Sequence, residues 1–301
     1  MCKISNQQLY VQLFFIFMRI LVVESLQLFI DTNIKLIQIL FIKLQIAGQS
    51  PLLSARFDLS VLYQEYAVDD QVYQDKIKDL NKRYTHIRRT RPDGNCFYRA
   101  FGFSYLESLL EGGPELERFK EVSLHSKEDL IKQGFTEFTI EDFHNTFMDL
   151  ITLVDKRPPV TELLSAFNEQ TVSDYVVVYL RLLTSGHLQR DSLFYQHFIE
   201  GGRSVKEFCQ QEVEPMCKES DHIHIIALSQ ALNVSIQVEY MDRGEGDSTV
   251  THVFPEGSSP QSAEDTLGVS SQPHGSAQTA VFSWCRLTLW MSALPPGHPP
   301  A

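Results

Sequence analysis

Cysteine is scarce in this chain and never falls in a metal-binding spacing. The five are Cys2, Cys96, Cys209, Cys217 and Cys285. No two form a CxxC pair, which excludes a zinc ribbon, and the odd count does not suit a disulfide framework. Free thiols in a reducing setting, cytoplasmic or nuclear, are expected. No metal and no cofactor is implied. Basic residues are also short, with 26 Lys and Arg against 38 Asp and Glu and a formal charge of -12. That argues against a nucleic-acid binder led by phosphate contacts, and it suits partners with basic surfaces. A long uninterrupted apolar run is lacking as well. Residues 9–47 are rich in Leu, Ile, Phe and Val, yet Arg19, Glu24, Asp31, Lys35 and Lys43 interrupt them. A spanning helix needs about 20 mostly apolar residues, so membrane insertion is not expected. Ala47-Gly48 is a poor signal cleavage site, because too much apolar chain precedes it. No internal repeat is visible.

What is present divides into three pieces. Over 301 residues, 43% are apolar and 21% charged, as in an ordinary globular protein. Residues 1–47 form an atypical apolar segment: an amphipathic helix or one packed on the body, a start without a selected role, or, against the interrupting charges, a membrane anchor or signal. Residues 258–301 hold eight Ser, six of the 13 Pro and only three charged side chains. They show no strand or helix period and read as a flexible Ser/Pro-rich tail. Phe282, Trp284 and Trp290 make an apolar island there, either a docking segment or an unselected end.

Residues 48–257 carry the periodic signals and nearly all of the negative charge. Residues 70–84 read as a solvated helix, and Thr139 reads as the N-cap of another, with Phe143, Phe147, Leu150, Ile151 and Val154 at helical spacing. Further helices are expected over about 160–168, 171–184, 190–199, 204–213 and 221–232, with Asp221 as a cap. Val234, Ile236, Val238 and Tyr240 alternate with polar residues as in a half-buried strand, and 249–254 reads as a second strand. Many helices followed by antiparallel strands give an α+β class.

Cys96 stands apart from the other thiols. In Arg91-Pro92-Asp93-Gly94-Asn95-Cys96-Phe97-Tyr98-Arg99-Ala100 a tight loop runs into an apolar helix whose first residue is Cys96. The positive end of the helix dipole lowers a thiol pKa, and the thiolate is the nucleophile. The N–H groups of Gly94, Asn95 and Cys96 can converge on an oxyanion. The bland alternative is a small buried apolar residue at a helix start.

The segment Asp93–Ala100 resembles the catalytic loop of the ovarian-tumour (OTU) family of deubiquitinating cysteine proteases. Phe135-Thr136-Glu137-Phe138, Tyr179–Gly186, Phe198–Arg203, Glu212–Met216, Asp221–His224 and Tyr240–Gly244 look like otubains. The resemblance covers about residues 50–257. It implies a papain-like α+β domain with a helical subdomain and a small central sheet. It further implies a Cys96 nucleophile, Asp93 in the loop that shapes the site, and Gly94 and Asn95 at the oxyanion hole. The substrate it implies is ubiquitin in polyubiquitin chains, cut at the isopeptide bond. Ubiquitin-conjugating enzymes are implied as further partners, held in a mode that needs surfaces rather than a thiolate.

One departure is plain. In the family a C-terminal His, in a Pro-Gly-His-aromatic segment between two strands, serves as general base. Here the match stops near Pro260, and the last two strands are expected to be missing. His298 follows Pro296-Gly297 but precedes Pro299 and Pro300, which cannot donate to a sheet ladder. His274 lies in Ser/Gln/Pro-rich sequence. His222 and His224 flank a helix start as cap or core residues. His86, His125, His144, His187, His197 and His252 read as surface or packing residues. Three readings therefore compete: a deubiquitinating hydrolase, a regulator that binds ubiquitin or a conjugating enzyme without cutting, and a product that does not fold.

Overall fold

The computed structural model describes Ile34, residues 50–241 and 248–255, and the backbone of residues 289–293. The chain divides into two units, Met1–Ser50 and Pro51–Ala301. Only Ile34 and Ser50 of the first unit are described, and both are exposed. The expectations for residues 1–33 and 35–49 lie outside the described residues.

The second unit runs β1 (Phe57–Asp58), α1 (Gln71–Arg83), β2 (Tyr84–Arg89), α2 (Cys96–Ser108), α3 (Pro114–Lys132), α4 (Glu137–Asp155) and α5 (Val160–Asn168). It continues through α6 (Gln170–Arg190), α7 (Ser192–Tyr195), α8 (Val205–Phe208), α9 (His222–Leu232), β3 (Ile236–Tyr240), β4 (Val250–Phe254) and β5 (Leu289–Ala293). One sheet has the order β1-β2-β5 and the other pairs β3 with β4, antiparallel throughout.

Helices α2 and α6 are the spine. From Phe97 to Glu107 every residue of α2 is buried, as is nearly every residue of α6 from Val176 to Leu188. A helix covered all round lies inside a domain rather than on its surface. Phe97, Phe101 and Tyr105 stack at i, i+4 spacing, with centroids 6.4 and 5.8 Å apart. The main core gathers these with Phe119, Phe147, Ile151, Leu163, Phe167, Tyr179, Leu180, Leu228, Ile236 and Val238. A separate cluster of Leu59, Leu62, Ile77, Leu80, Tyr84, Ile87 and Met241 seats α1 against β2. The buried Glu239 carboxylate on β3 accepts from the hydroxyls of Tyr84, Thr249 and Thr251 and pairs with Arg83.

Several expectations change. Thr139 is not a cap: α4 begins three residues earlier, after the extended Thr136, and Thr139 N–H donates to the Thr136 carbonyl. The earlier start brings Glu137 and Glu141 to Lys127 on α3. The 190–199 helix is instead the end of α6, the short α7 and a 3₁₀ turn at Gln196–Phe198. The 204–213 helix is α8, opened by a Ser204–Glu207 capping box and continued as a π-helical turn over Cys209–Val213. Strand β2 and helix α3 were not foreseen. Asp221 does cap α9, and the left-handed Asn233 ends it. The tail also differs from a wholly strandless one, since β5 pairs with β2 and Met291 stands opposite Ile87.

Candidate active site

Strand β2 delivers the chain into the loop 91–95, and the loop enters α2 at Cys96. The Asp93 N–H donates to the Arg91 carbonyl at 2.9 Å, and the Asn95 N–H donates to Asp93 Oδ1 at 2.9 Å. Such a carboxylate turn tightens the backbone just before a helix. Gly94 takes φ +79°, and a Cβ there would lie 2.5 Å from the backbone of Cys217. Only glycine fits both the conformation and the approach.

Two buried arginines grip this loop. Arg99, one turn into α2, donates to both carboxylate oxygens of Asp93 at 3.0 and 2.8 Å, to Ser173 Oγ at 2.9 Å and to Asp174 at 3.3 Å. Arg181 comes from the middle of α6 and is 0% exposed. Its Nη2 donates to the Gly94 carbonyl at 2.8 Å, Asn95 Oδ1 at 3.1 Å and the Lys218 carbonyl at 2.6 Å. Its Nη1 donates to the Val213 carbonyl at 2.9 Å, and its guanidinium lies 4.6 Å from the Tyr98 ring centroid. Asn95 Oδ1 also accepts the Cys217 N–H at 2.8 Å.

Cys96 is half-buried at the first residue of α2, as the sequence predicts. Burial lowers the pKa of Arg181, and the negative forms of Tyr98, Cys217, Cys96 and Asp93 act the other way. The arginine and the Cys96 thiolate therefore stabilise each other's charged states. Cys209 is the contrast. It is buried, and desolvation pushes its thiol up to about 11, so it is an inert packing residue.

The structure brings Asp93, Gly94, Asn95 and Cys96 into one turn but modifies the oxyanion arrangement. The Asn95 N–H is engaged by Asp93, whereas the Gly94 N–H has no partner among the described residues. Asn95 contributes mainly through its side chain, which ties the loop to Cys217 and Arg181. Arg181 itself was missed. Its signal is the single charge in the apolar run from Tyr175 to Leu183.

The buried histidines serve packing. His224 is 3% exposed, its Nδ1 accepts the Asp221 N–H at 2.9 Å, and burial first, then the charge of Arg181, takes its pKa down to about 4. His144 hydrogen-bonds the Ser123 carbonyl at 3.2 Å, His187 bonds Gln230 Oε1 at 2.9 Å, and burial lowers both. His222 is half-exposed and bonds the Tyr240 hydroxyl at 2.8 Å. His274 and His298 lie outside the described residues. No group of three or more metal-ligating side chains occurs among the described residues. No described helix is long and apolar enough to cross a membrane.

Comparison with known proteins identifies the family. Residues 45–274 match the family model described as Peptidase C65 Otubain. Human ubiquitin thioesterase OTUB1 is 73% identical over 220 residues, 73% of this chain and 81% of the relative. Human ubiquitin thioesterase OTUB2 is 46% identical over 210 residues, 69% of this chain and 88% of the relative. A solved structure titled as a ceOTUB1 ubiquitin aldehyde UBC13~Ub complex superposes with a TM-score of 0.74 at 26% identity, covering 86% of this chain and 99% of that one. With a family model spanning most of its length and relatives this close, the chain belongs to the otubain family of cysteine peptidases.

Proposed function

We propose that this chain is a cysteine-type deubiquitinase, with ubiquitin and polyubiquitin as substrate and Cys96 as nucleophile. The observation that carries the reading is the half-buried thiol at the start of α2, beside a buried arginine and a Gly94 N–H that has no partner among the described residues. The Cys96 sulfur would attack the isopeptide carbonyl. The oxyanion would then meet N–H donors of the loop, where fixed dipoles stabilise developing charge. Asp93 holds the Asn95 N–H and Arg99 and so keeps the turn closed. The free thiols support a reducing compartment, cytoplasm or nucleus.

A ubiquitin probe with a thiol-reactive C-terminal warhead tests the reading. Covalent labelling is expected in the full chain and should vanish in Cys96→Ala. Labelling that persists in Cys96→Ala, or that is absent in the parent, rejects Cys96 as the nucleophile.

A second reading is a regulator that binds a ubiquitin-conjugating enzyme. The structural relatives titled as complexes with UBC13~Ub and UBCH5B~Ub favour it. Binding of such an enzyme that survives Cys96→Ser would support it, and loss with the thiol would oppose it.

A further inference from the structure

We propose that Arg181 is a positioning residue for the Cys96 loop, clasping Asp93–Cys96 to the turn at residues 213–218. The proposal rests on the reading of Cys96 as nucleophile.

The two buried arginines are not equivalent. Arg99 is neutralised by the carboxylates of Asp93 and Asp174. Arg181 has no carboxylate in ion-pair reach among the described residues. Its acceptors are the carbonyls of Gly94, Val213 and Lys218 and the Asn95 amide oxygen. A buried charge without a counter-charge is an expensive way to join backbone segments. An apolar side chain of similar volume would fill the space at less cost. What the arginine adds is a planar fork reaching two separate segments at once, with a charge that interacts favourably with the Cys96 thiolate.

The segments joined are the ones that need it. Gly94 and Cys217 are in backbone contact, and Cys217 itself sits at φ +63°. The π-helical turn aims the Val213 carbonyl at the guanidinium. Such turns recur where a helix is adjusted to a site. Without the clasp the loop could shift from the start of α2, and Cys96 would leave the field of the helix end.

The test is the pH profile of Cys96 alkylation by iodoacetamide in the full chain, read by peptide mass so that the other thiols are separated. This readout needs no general base. The parent midpoint is expected well below the ordinary value of about 8.5. Arg181→Met should raise it by about one unit. Arg181→Lys should restore only part of that, because an ammonium supplies the charge without the fork. If Arg181→Met does not melt cooperatively, Asn95→Ala cuts the same link from the loop side and should also raise the midpoint. A parent-like midpoint in the variants, with only a lower melting temperature, overturns the role given to Arg181. Full restoration by Lys overturns positioning in favour of charge alone. An ordinary midpoint in the parent instead overturns the reading of Cys96, and this inference with it.

Discussion

The proposed catalytic centre has two sides, and they are built differently. The thiol side is over-determined. The turn at Asp93–Cys96 is closed by its own carboxylate, gripped by Arg99 from α2 and Arg181 from α6, and wedged against Cys217. The base side, by the resemblance to otubains, would draw on sequence after Phe254. There the described residues are Pro255 and the backbone strand β5, which docks on β2, the strand that feeds the Cys96 loop. A nucleophile can thus be preorganised by local sequence and a few buried side chains. On that resemblance the proton-transfer partner would come from the far end of the chain.

The largest expected effect separates these two sides directly. Replacing residues 258–301 with the C-terminal segment of the human OTUB1 relative should raise di-ubiquitin turnover by about a thousandfold or more, the scale on which removing one member of a catalytic triad acts. Warhead labelling of Cys96 should change far less, because the thiol side is already complete. Equal turnover in the two chains would show that the tail as written already supplies a base.

Next is Gly94→Ala. A non-glycine residue at φ +79° costs about 1–2 kcal/mol. A Cβ 2.5 Å from the Cys217 backbone must also push the 213–218 turn away. A total near 3 kcal/mol of lost stability is expected, together with slower Cys96 alkylation. A chemical denaturation curve unmoved from the parent would mean that the two segments do not bear on each other.

How much of this was legible beforehand follows the same division. The Cys96 loop was readable because turn residues, thiol and helix start are contiguous, and α4, α5 and α9 were readable from apolar period or cap. Strand β2 was not, because Tyr-Thr-His-Ile-Arg-Arg looks polar. Arg88 is buried there only because Glu107 on α2 pairs with it at 2.8 Å. Helix α3 hid for a related reason: Ser123 and Ser126 share its buried face with Leu116, Phe119 and Leu130, which blurs the apolar period. The role of Arg181 was invisible because its partners lie 32 to 87 residues away in sequence. Strand β5 lacked a period in its Ser/Pro-rich surroundings, and its partner β2 was itself unrecognised.

Acid should unsettle the thiol side's surroundings before the rest. His224 titrates near 4 in the fold against an ordinary 6.5, so the unfolded chain takes up the proton first. The stability tied to its neutral form is present above about 6.5 and is lost as pH falls toward 4, by up to about 3 kcal/mol. The lowered His144 and His187 act with the same sign. His224→Gln should flatten the fall in denaturation midpoint between pH 7 and 4.5. An unchanged slope would assign the acid sensitivity to other groups.

The smallest effect expected is that of Asp93→Asn. The amide oxygen still accepts the Asn95 N–H, so the turn that presents Cys96 survives. What is lost is the carboxylate charge facing Arg99. Removing one partner from a fully buried pair costs about 3–5 kcal/mol. Here Asp174 still faces the guanidinium and the Asp93 side chain is 21% exposed, so roughly 1 kcal/mol is expected. Cys96 alkylation should stay close to the parent rate, well above that of Gly94→Ala. If the order of these two variants is reversed, the loop is held by the charge of Asp93 rather than by the backbone fit at Gly94.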